Sequence, residues 1–361
     1  MDSIKYYVLW RQDNEVLEKY LNLYYEKLRN LLKDFKKRNL IEISDDFINN
    51  EANKYFILSP DISSIINSIN RSNKNYNDIQ LLKTQIDYYL NEKYDKLTMN
   101  MWDYIWWTDI KLTNYDNNPY NTVTIHPNHK DYWPSWGDLP KEKWLETYSN
   151  VFELLKNADE WIYDELNFII KKIVPIWTHI WVHNSASYKE CVGHLYMWYT
   201  KDANPPELPI LEAIIHESSH NKLNLILQSE DLIYNDNSLR YYSPYRPDAR
   251  HIHWIYLWVH AFAPTIYVLM NVYLNWWIDK KSHWSTKLSL YHLKNKYAMS
   301  VLKRYWKFSD LWNEILDEVK YVIDITEEKM KEIPKESKDE ARLMFKQHLK
   351  DVLKNYPYTN Y

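Results

Sequence analysis

The chain has 361 residues, of which 26% are charged and 45% hydrophobic, which is ordinary for a soluble globular protein. Its formal net charge of −4 gives no electrostatic argument for a nucleic-acid partner or an anionic membrane surface. A single cysteine, Cys191, excludes an internal disulfide and is typical of the reducing cytoplasm. The N-terminal MDSIKYYVLW lacks the basic and apolar regions of a signal peptide. We therefore expect a cytoplasmic protein with no nucleic-acid and no membrane partner.

Two residue counts depart from this ordinary composition. There are 2 glycines and 18 tryptophans, whereas average usage predicts roughly 25 glycines in a chain of this length. Glycine is the default residue where the backbone has a positive φ or approaches another chain segment closely. Some bacteria read the codon UGA as glycine, whereas common gene-calling tables translate it as tryptophan. We hypothesise UGA recoding, with many written tryptophans being glycines in the cell; the alternative is an aromatic-rich protein, since there are also 33 tyrosines.

Helical periodicity dominates the first half of the chain. Residues 5–40 carry apolar side chains at helical spacing among charges, which predicts an amphipathic helix. Shorter helices separated by Asn/Ser-rich turns are predicted over 45–100. A proline-rich irregular loop follows over 116–140, and then one or two helices over 141–174.

Two later segments have sequence patterns that differ from those of the helices predicted so far. Ile176–Thr200 alternates β-branched and aromatic residues, which predicts two strands joined through a turn at Ser185–Glu190. The apolar run Trp254–Ile278 is long enough to span a bilayer. It contains His260 and Pro264, however, so we predict a buried core helix that is broken or bent near the proline.

The predicted fold class is therefore mainly α (α+β), a helical protein with a small β-sheet. Residues 280–356 complete it with amphipathic helix and a charged tail. We expect two regions: a helical N-terminal region over 1–150, a candidate for peptide recognition, and a metal-binding catalytic domain over 151–361.

The most informative motif is HESSH at His216–His220. Positions i and i+4 of a helix lie on one face, so both imidazoles can point at one metal ion. Glu217 lies about a hundred degrees around the helix from His216 and is the candidate catalytic residue. The alternative is two surface histidines on an ordinary helix, but the apolar residues before the motif favour a buried helix and a metal site.

A metal site of this kind needs a third protein ligand from elsewhere in the chain. The apolar run contains His253 and His260, seven residues apart and on nearly the same helix face; each could instead be a core histidine bonded to a carbonyl. Arg246 and Arg250 precede that helix. Arginine can hold a carboxylate bidentately, although loop arginines also pair with surface acids.

Two stretches together resemble a known family. HESSHNKLNLIL and the later PYRPDARHIHWIYLWVHAFAP resemble the HExxH-motif family associated with modification of ribosomally made peptides. That family continues its motif into Lys-Leu, here Lys222–Leu223, and later has a Pro/Arg-rich loop before a helix with the pattern Gly-x-x-x-Gly-x-His-Ala-Phe. The two family glycines fall on Trp254 and Trp258, which supports the recoding hypothesis because two indoles would prevent close helix packing.

The resemblance covers roughly Val174–Tyr273 and implies an activity. Members of the family have been linked to iron- and 2-oxoglutarate-dependent hydroxylation of peptide side chains. Carried over to this chain, it implies Fe(II) bound by His216, His220 and His260. It also implies that Arg250, with Arg246, binds the carboxylate of 2-oxoglutarate. The assignment of His260 as the third metal ligand rests on the His-Ala-Phe match alone, and Glu217 or His253 could be the third ligand instead.

Three functions remain open on the sequence. The first is a cytoplasmic peptide-tailoring oxygenase whose partner is a peptide substrate such as a precursor peptide. The second is a zinc metallopeptidase in which Glu217 activates water. The third is a helical binding protein with a relic metal site. The sequence disfavours the peptidase, because no extended protease signature follows the motif and Lys222 replaces the apolar residue usual in that helix.

Overall fold

The chain forms two compact units. The computed structural model describes residues 8, 15–72, 76–91, 103–116, 133–177, 185–199, 206–229, 235–236, 238–275, 283–305, 307 and 309–356. The sheet unit comprises Asn14–Phe152 and Asp164–Ser229. The helical unit comprises Met1–Asp13, Glu153–Tyr163 and Glu230–Tyr361. The expected regions 1–150 and 151–361 stay a prediction.

The protein is mainly α-helical with a small mixed sheet, which confirms the predicted fold class. The first helices are α1 (Glu15–Lys37), α2 (Asp45–Asn49), α3 (Lys54–Leu58), α4 (Pro60–Ser72) and α5 (Tyr76–Leu90). The central ones are α6 (Lys141–Ala158), α7 (Glu160–Ile169) and α8 (Glu207–Ile226). The helical unit contains α9 (Ile252–Leu274), α10 (His283–Tyr305), α11 (Asp310–Lys329) and α12 (Lys335–Asn355).

Helix α1 shows why the sequence pattern predicted a helix here. Its apolar stripe is buried, at Leu17, Tyr20, Tyr24, Tyr25, Leu28, Leu32 and Phe35. Glutamates occupy its first turn and lysines its last, which favours the helix dipole. Asn39 follows with φ 56°, a left-handed conformation that commonly ends helices. Helix α1 is shorter than the predicted 5–40, whose first residues lie largely outside the described ranges.

The sheet runs in the order β1-β2-β4-β6-β5, with β3 pairing β4 off this path. The strands are β1 (Asp103–Tyr104), β2 (Lys111–Leu112), β3 (Trp133–Pro134), β4 (Lys172–Trp177), β5 (Ser185–Ala186) and β6 (His194–Met197). Strand β4 is parallel to β2 and β6, whereas β5 is antiparallel to β6. Helix α8 packs against β5, β6 and α1, so the motif helix lies on this end of the sheet.

Only the second of the two predicted strands has its counterpart, in β6. The first lies mostly in 178–184, outside the described residues, and Ser185–Ala186 of the predicted turn form β5, which pairs antiparallel with β6. The connection ends at Gly193, whose φ is 88°. A Cβ built there would lie 3.0 Å from the carbonyl oxygen of Ile169, so glycine is required by both backbone and space. Most of the predicted loop over 116–140 lies outside the described residues.

A tight turn between β1 and β2 has an unusual residue. The Thr108 amide donates to the Ile105 carbonyl at 3.1 Å, which closes a β-turn around Trp106 and Trp107. Trp107 has φ 66°, and 80% of its surface is exposed. Positive φ is rare for a bulky residue such as tryptophan.

Helix α9 is the core of the helical unit. It packs against α10 and α11, and α12 packs against α10. The helix is long and apolar enough to cross a bilayer, but most of it is buried inside the structure. The prediction of a buried core helix is thus consistent with its packing. Of the two alternatives predicted near Pro264, a break is wrong because α9 continues as a helix to Leu274, and a bend stays a prediction. Neighbouring turns and buried packing hold the chain helical despite the missing proline N–H.

Candidate metal centre

The two motif histidines face each other on helix α8. His216 Nε2 and His220 Nε2 lie 3.1 Å apart, with the ring planes at 89°. Two nitrogens each about 2.0–2.1 Å from one metal ion, at an angle between 90° and 109°, lie about 3 Å apart. The observed separation therefore matches that of two imidazole ligands to one ion.

Burial keeps both imidazoles in the form that binds metals. Desolvation lowers the pKa of His216 well below its ordinary value, and the adjacent His220 lowers it further. Desolvation also lowers the pKa of His220, against the opposing effect of Glu217. Both rings are consequently neutral near pH 7, and a neutral imidazole nitrogen has the lone pair that a metal ligand needs.

Glu217 is held by strand β5. The Ser185 hydroxyl donates to Glu217 Oε1 at 2.8 Å, and the Ser187 hydroxyl donates to Oε2 at 2.6 Å. The glutamate is buried. Both carboxylate oxygens thus accept hydrogen bonds from the sheet, an arrangement that the sequence motif did not reveal.

One turn further along α8, Asn221 makes a second set of contacts to the sheet. Its Oδ1 accepts from the Gly193 amide at 2.7 Å, and its Nδ2 donates to the carbonyls of His194 and Glu217. The asparagine is completely buried. Glu217 and Asn221 are four residues apart, so they lie on one face of α8 and fix that face on β5 and β6.

Lys222, which departs from the usual protease pattern, is buried in an ion pair. Its Nζ lies 2.9 Å from Glu165 Oε1, and both side chains are almost fully buried. The lysine therefore satisfies a buried carboxylate on α7 instead of extending the apolar face of the motif helix. The sequence showed that Lys222 was unusual but could not identify its partner.

A further polar cluster lies at the start of β4 and β6. Lys172 Nζ is 2.9 Å from Asp61 Oδ1 and 3.6 Å from Asp116 Oδ1. The Tyr196 hydroxyl donates to Asp116 Oδ2 at 2.6 Å, and the His194 ring stacks on Tyr196. Burial lowers the pKa of His194 to about 4. No motif marked these residues, because they come together from four separate segments.

The other two candidate ligands lie on α9 in the helical unit. His260 is completely buried, and its ring stacks on Tyr256 with the centroids 6.2 Å apart. His253 is partly exposed near the helix start and contacts Trp254. Within the described ranges, no three His, Cys, Asp or Glu side chains come together as a metal-binding group. His260 as third ligand, with His253 or Glu217 as alternatives, therefore stays a prediction.

The two candidate carboxylate-binding arginines share one aspartate. Arg250 Nε lies 2.6 Å from Asp248 Oδ2, and Arg246 Nε lies 3.8 Å from Asp248 Oδ1. The Arg246 guanidinium also lies over the Trp258 ring, 5.8 Å from its centroid. The backbone of Arg250 is fixed by two hydrogen bonds to Tyr241. Two positive charges against one negative charge leave this loop with a net charge of +1, which favours binding of a further anion.

Two comparisons of the sequence with known proteins found no match. Neither the models of known protein families nor the curated proteins include a match to this chain. The functional argument therefore rests on the residues themselves. The paired nitrogens of His216 and His220 suit Fe(II) or Zn(II), since imidazole is a ligand for both metals.

Proposed function

We propose that the protein is a metal-dependent enzyme that modifies peptides, with an Fe(II)- and 2-oxoglutarate-dependent side-chain hydroxylase as the specific activity. One observation carries the proposal: two partly buried, neutral imidazoles whose Nε2 atoms are 3.1 Å apart on one helix face. The resemblance of the HESSHNKL and RPDARHIHWIYLWVHAF stretches to peptide-modifying HExxH proteins supports the choice of iron and 2-oxoglutarate over zinc.

The metal would be held by His216 and His220, with His260 as the predicted third ligand. When bound, Fe(II) with open coordination positions supplies oxygen activation coupled to oxidation of 2-oxoglutarate. The protein's own side chains make the remaining contributions. Partial burial of the two imidazoles limits their contact with water, and the contacts of Glu217 and Asn221 to the sheet keep the helix in one position.

Arg250 is the residue that we propose to bind the co-substrate carboxylate, with Arg246 beside it. Asp248 contacts the Nε edge of Arg250. The guanidinium has a second edge formed by its terminal amino groups, which can donate two parallel hydrogen bonds to a carboxylate. The aspartate and the backbone pairing with Tyr241 restrict the motion of this arginine and so reduce the entropy lost on binding.

A zinc metallopeptidase with Glu217 as general base is the alternative. The motif has the required residues, but both oxygens of Glu217 already accept serine hydroxyls. A base that activates water must also hydrogen-bond that water. The two serine contacts hold Glu217 in position, but each carboxylate oxygen keeps a further lone pair that can accept from water. The choice of the oxygenase over the peptidase therefore rests on the resemblance.

Two measurements on the purified protein separate the proposals. With Fe(II) under air, the oxygenase is expected to convert 2-oxoglutarate into succinate, whereas zinc-dependent cleavage of a peptide without succinate would support the peptidase.

Calorimetric titration of 2-oxoglutarate into the metal-loaded protein should show weaker binding for Arg250→Ala than for the control Arg240→Ala. Equal binding by these two variants would contradict the proposed role of Arg250.

A further inference from the structure

We infer that Ser185, Ser187 and Glu217 form a clamp that positions the metal-binding histidines, with Glu217 as a positioning residue. This inference rests on the proposed function. Its direct support is the pair of hydrogen bonds at 2.8 Å and 2.6 Å, one to each carboxylate oxygen. Glu217 is buried, so these bonds are formed where water does not compete freely.

The geometry explains how a clamp on Glu217 can act on its neighbours. Ser185 begins β5 and Ser187 directly follows that strand, and both hydroxyls reach the Glu217 carboxylate. Glu217 directly follows His216 and precedes His220 by three residues. Holding its carboxylate therefore fixes the rotation of α8 about its own axis, and that rotation sets where both imidazoles point.

Asn221 completes the restraint along the helix axis. Its amide group binds the Gly193 amide and the His194 carbonyl at the start of β6. The clamp on β5 and this contact on β6 are one helical turn apart. Together they hold the motif helix at two points, which pre-organises the histidine pair before a metal arrives.

The chemistry of the clamp allows a clean separation of its hydrogen bonds from its charge. A hydroxyl can donate or accept, so an amide in place of the carboxylate can bond to both serines, with its oxygen accepting and its NH₂ donating. Glu217→Gln thus keeps the clamp but removes the base. Glu217→Ala, and the double variant Ser185→Ala/Ser187→Ala, remove the clamp.

The test is anaerobic titration of the full-length protein with Co(II), followed by visible absorption, which reports both affinity and ligand geometry. Loss of residues that orient metal ligands typically weakens binding about 10- to 100-fold. We expect this loss, with an altered Co(II) spectrum, for Glu217→Ala and for the double serine variant. Glu217→Gln should bind within about threefold of the unchanged protein, since it retains the hydrogen bonds.

Ser219→Ala is the matched control. It removes a buried hydroxyl from the same motif, but that hydroxyl donates to the Ile215 carbonyl of its own helix at 2.8 Å. The Co(II) affinity of Ser219→Ala should be unchanged. Circular dichroism is the check that each variant is folded. Unchanged affinity in folded clamp variants would overturn the clamp alone. An equal loss of Co(II) affinity in Glu217→Gln and Glu217→Ala would show that the charge of Glu217 matters and not its hydrogen bonds. That result would also overturn the clamp. No Co(II) binding by the unchanged protein would overturn both the clamp and the proposed function.

A separate observation, the backbone at Trp107, points to glycine at this position in the protein made by its source cell. Trp106 and Trp107 are the central residues of a hydrogen-bonded β-turn, and positive φ occurs at the second of them but not the first. That pattern is typical of a type II turn, which favours glycine at this place. The composition of 2 glycines and 18 tryptophans is explained by the same recoding of UGA.

Other tryptophans have contacts that glycine could not make. Trp144 is buried, and its indole nitrogen donates to the Trp136 carbonyl at 3.0 Å. The same ring stacks on Tyr148. We therefore expect recoding to be selective by position, with UGA at codon 107 and UGG at codon 144.

Peptide mass spectrometry of the protein isolated from its source cells tests this assignment. The peptide containing position 107 should be lighter than written by the difference between tryptophan and glycine, and the peptide containing position 144 should have the written mass. In the written chain, Trp107→Gly should raise the unfolding temperature, whereas the control Trp106→Gly should not. Tryptophan at position 107 in the native peptide would overturn the assignment.

Discussion

At the scale of single residues, the sheet unit contains buried charged side chains that lie beside an oppositely charged side chain. Lys222 and Glu165 are both buried, 2.9 Å apart, and the buried Lys172 lies 2.9 Å from the partly buried Asp61. A buried pair of this kind contributes little net stability, because desolvation offsets the attraction, but removing one partner leaves an unpaired buried charge.

This asymmetry gives a prediction for Lys222. The single change Lys222→Met should destabilise the protein by about 3–5 kcal/mol, because Glu165 would remain buried without its cation. The double variant Lys222→Met/Glu165→Leu should recover most of that loss. Urea denaturation of the three proteins measures both effects. A double variant no more stable than the single one would show that the pair has another role.

His194 gives a prediction for the dependence of stability on pH. Burial lowers its pKa from 6.5 to about 4, with Asp116 acting in the opposite direction and Lys172 in the same direction. Between these two values the unfolded chain binds a proton that the folded chain does not. The free energy of unfolding should therefore decrease as the pH falls from about 6.5 to about 4, by up to about 3 kcal/mol from this residue.

The control for His194 is a ring that cannot titrate. His194→Phe can keep the stacking on Tyr196, so its stability should change less with pH than that of the unchanged protein. Other histidines whose pKa is lowered keep part of the slope, at His216, His220, His251, His292 and His348. Urea denaturation at pH 7 and pH 5 compares the two proteins, and identical slopes would contradict the assignment to His194.

At the scale of elements, the docking of helix α8 on the sheet determines the geometry of the candidate site. The helix contacts β5 through Glu217 and β6 through Asn221; both contacts are polar, the first partly buried and the second buried. Buried hydrogen bonds have directional preferences that apolar contacts lack. The position of the histidine pair consequently depends on a few specific bonds as well as on the apolar core.

Asn221 allows this dependence to be measured. Asn221→Ala leaves the Gly193 amide without its acceptor, which should cost about 1–3 kcal/mol of stability. Asn224→Ala is the matched control, since Asn224 is only partly buried. Denaturation midpoints of the two variants test the difference. Equal stability would show that the Asn221 contacts do not restrain the helix.

The sequence predicted these elements unequally, for physical reasons. The motif and its apolar lead were sufficient to predict α8, because helical spacing is a local property. Strands β1, β2 and β3 each contain two residues, which is too short for an alternating pattern to be recognised. The clamp on Glu217 joins positions about thirty residues apart, and spacing along a chain does not reveal which strand a helix covers.

At the scale of the whole molecule, the candidate residues are divided between two units. His216, Glu217 and His220 belong to the sheet unit, whereas His260 and Arg250 belong to the helical unit. The described geometry supports the first three as a local group, and the resemblance alone assigns the other two. Metal binding by the His216–His220 pair is therefore the central claim, and it can be tested without knowing the peptide substrate.

Anaerobic equilibrium dialysis against Fe(II), followed by metal analysis of the protein, tests this claim most directly. We predict about one bound ion per chain, as expected for a single shared site. We predict loss of binding in His216→Ala and in His220→Ala, and no change in the control His348→Ala. Failure of the unchanged protein to bind Fe(II), or equal binding by folded His216→Ala and His220→Ala, would contradict the assignment of a metal centre to helix α8.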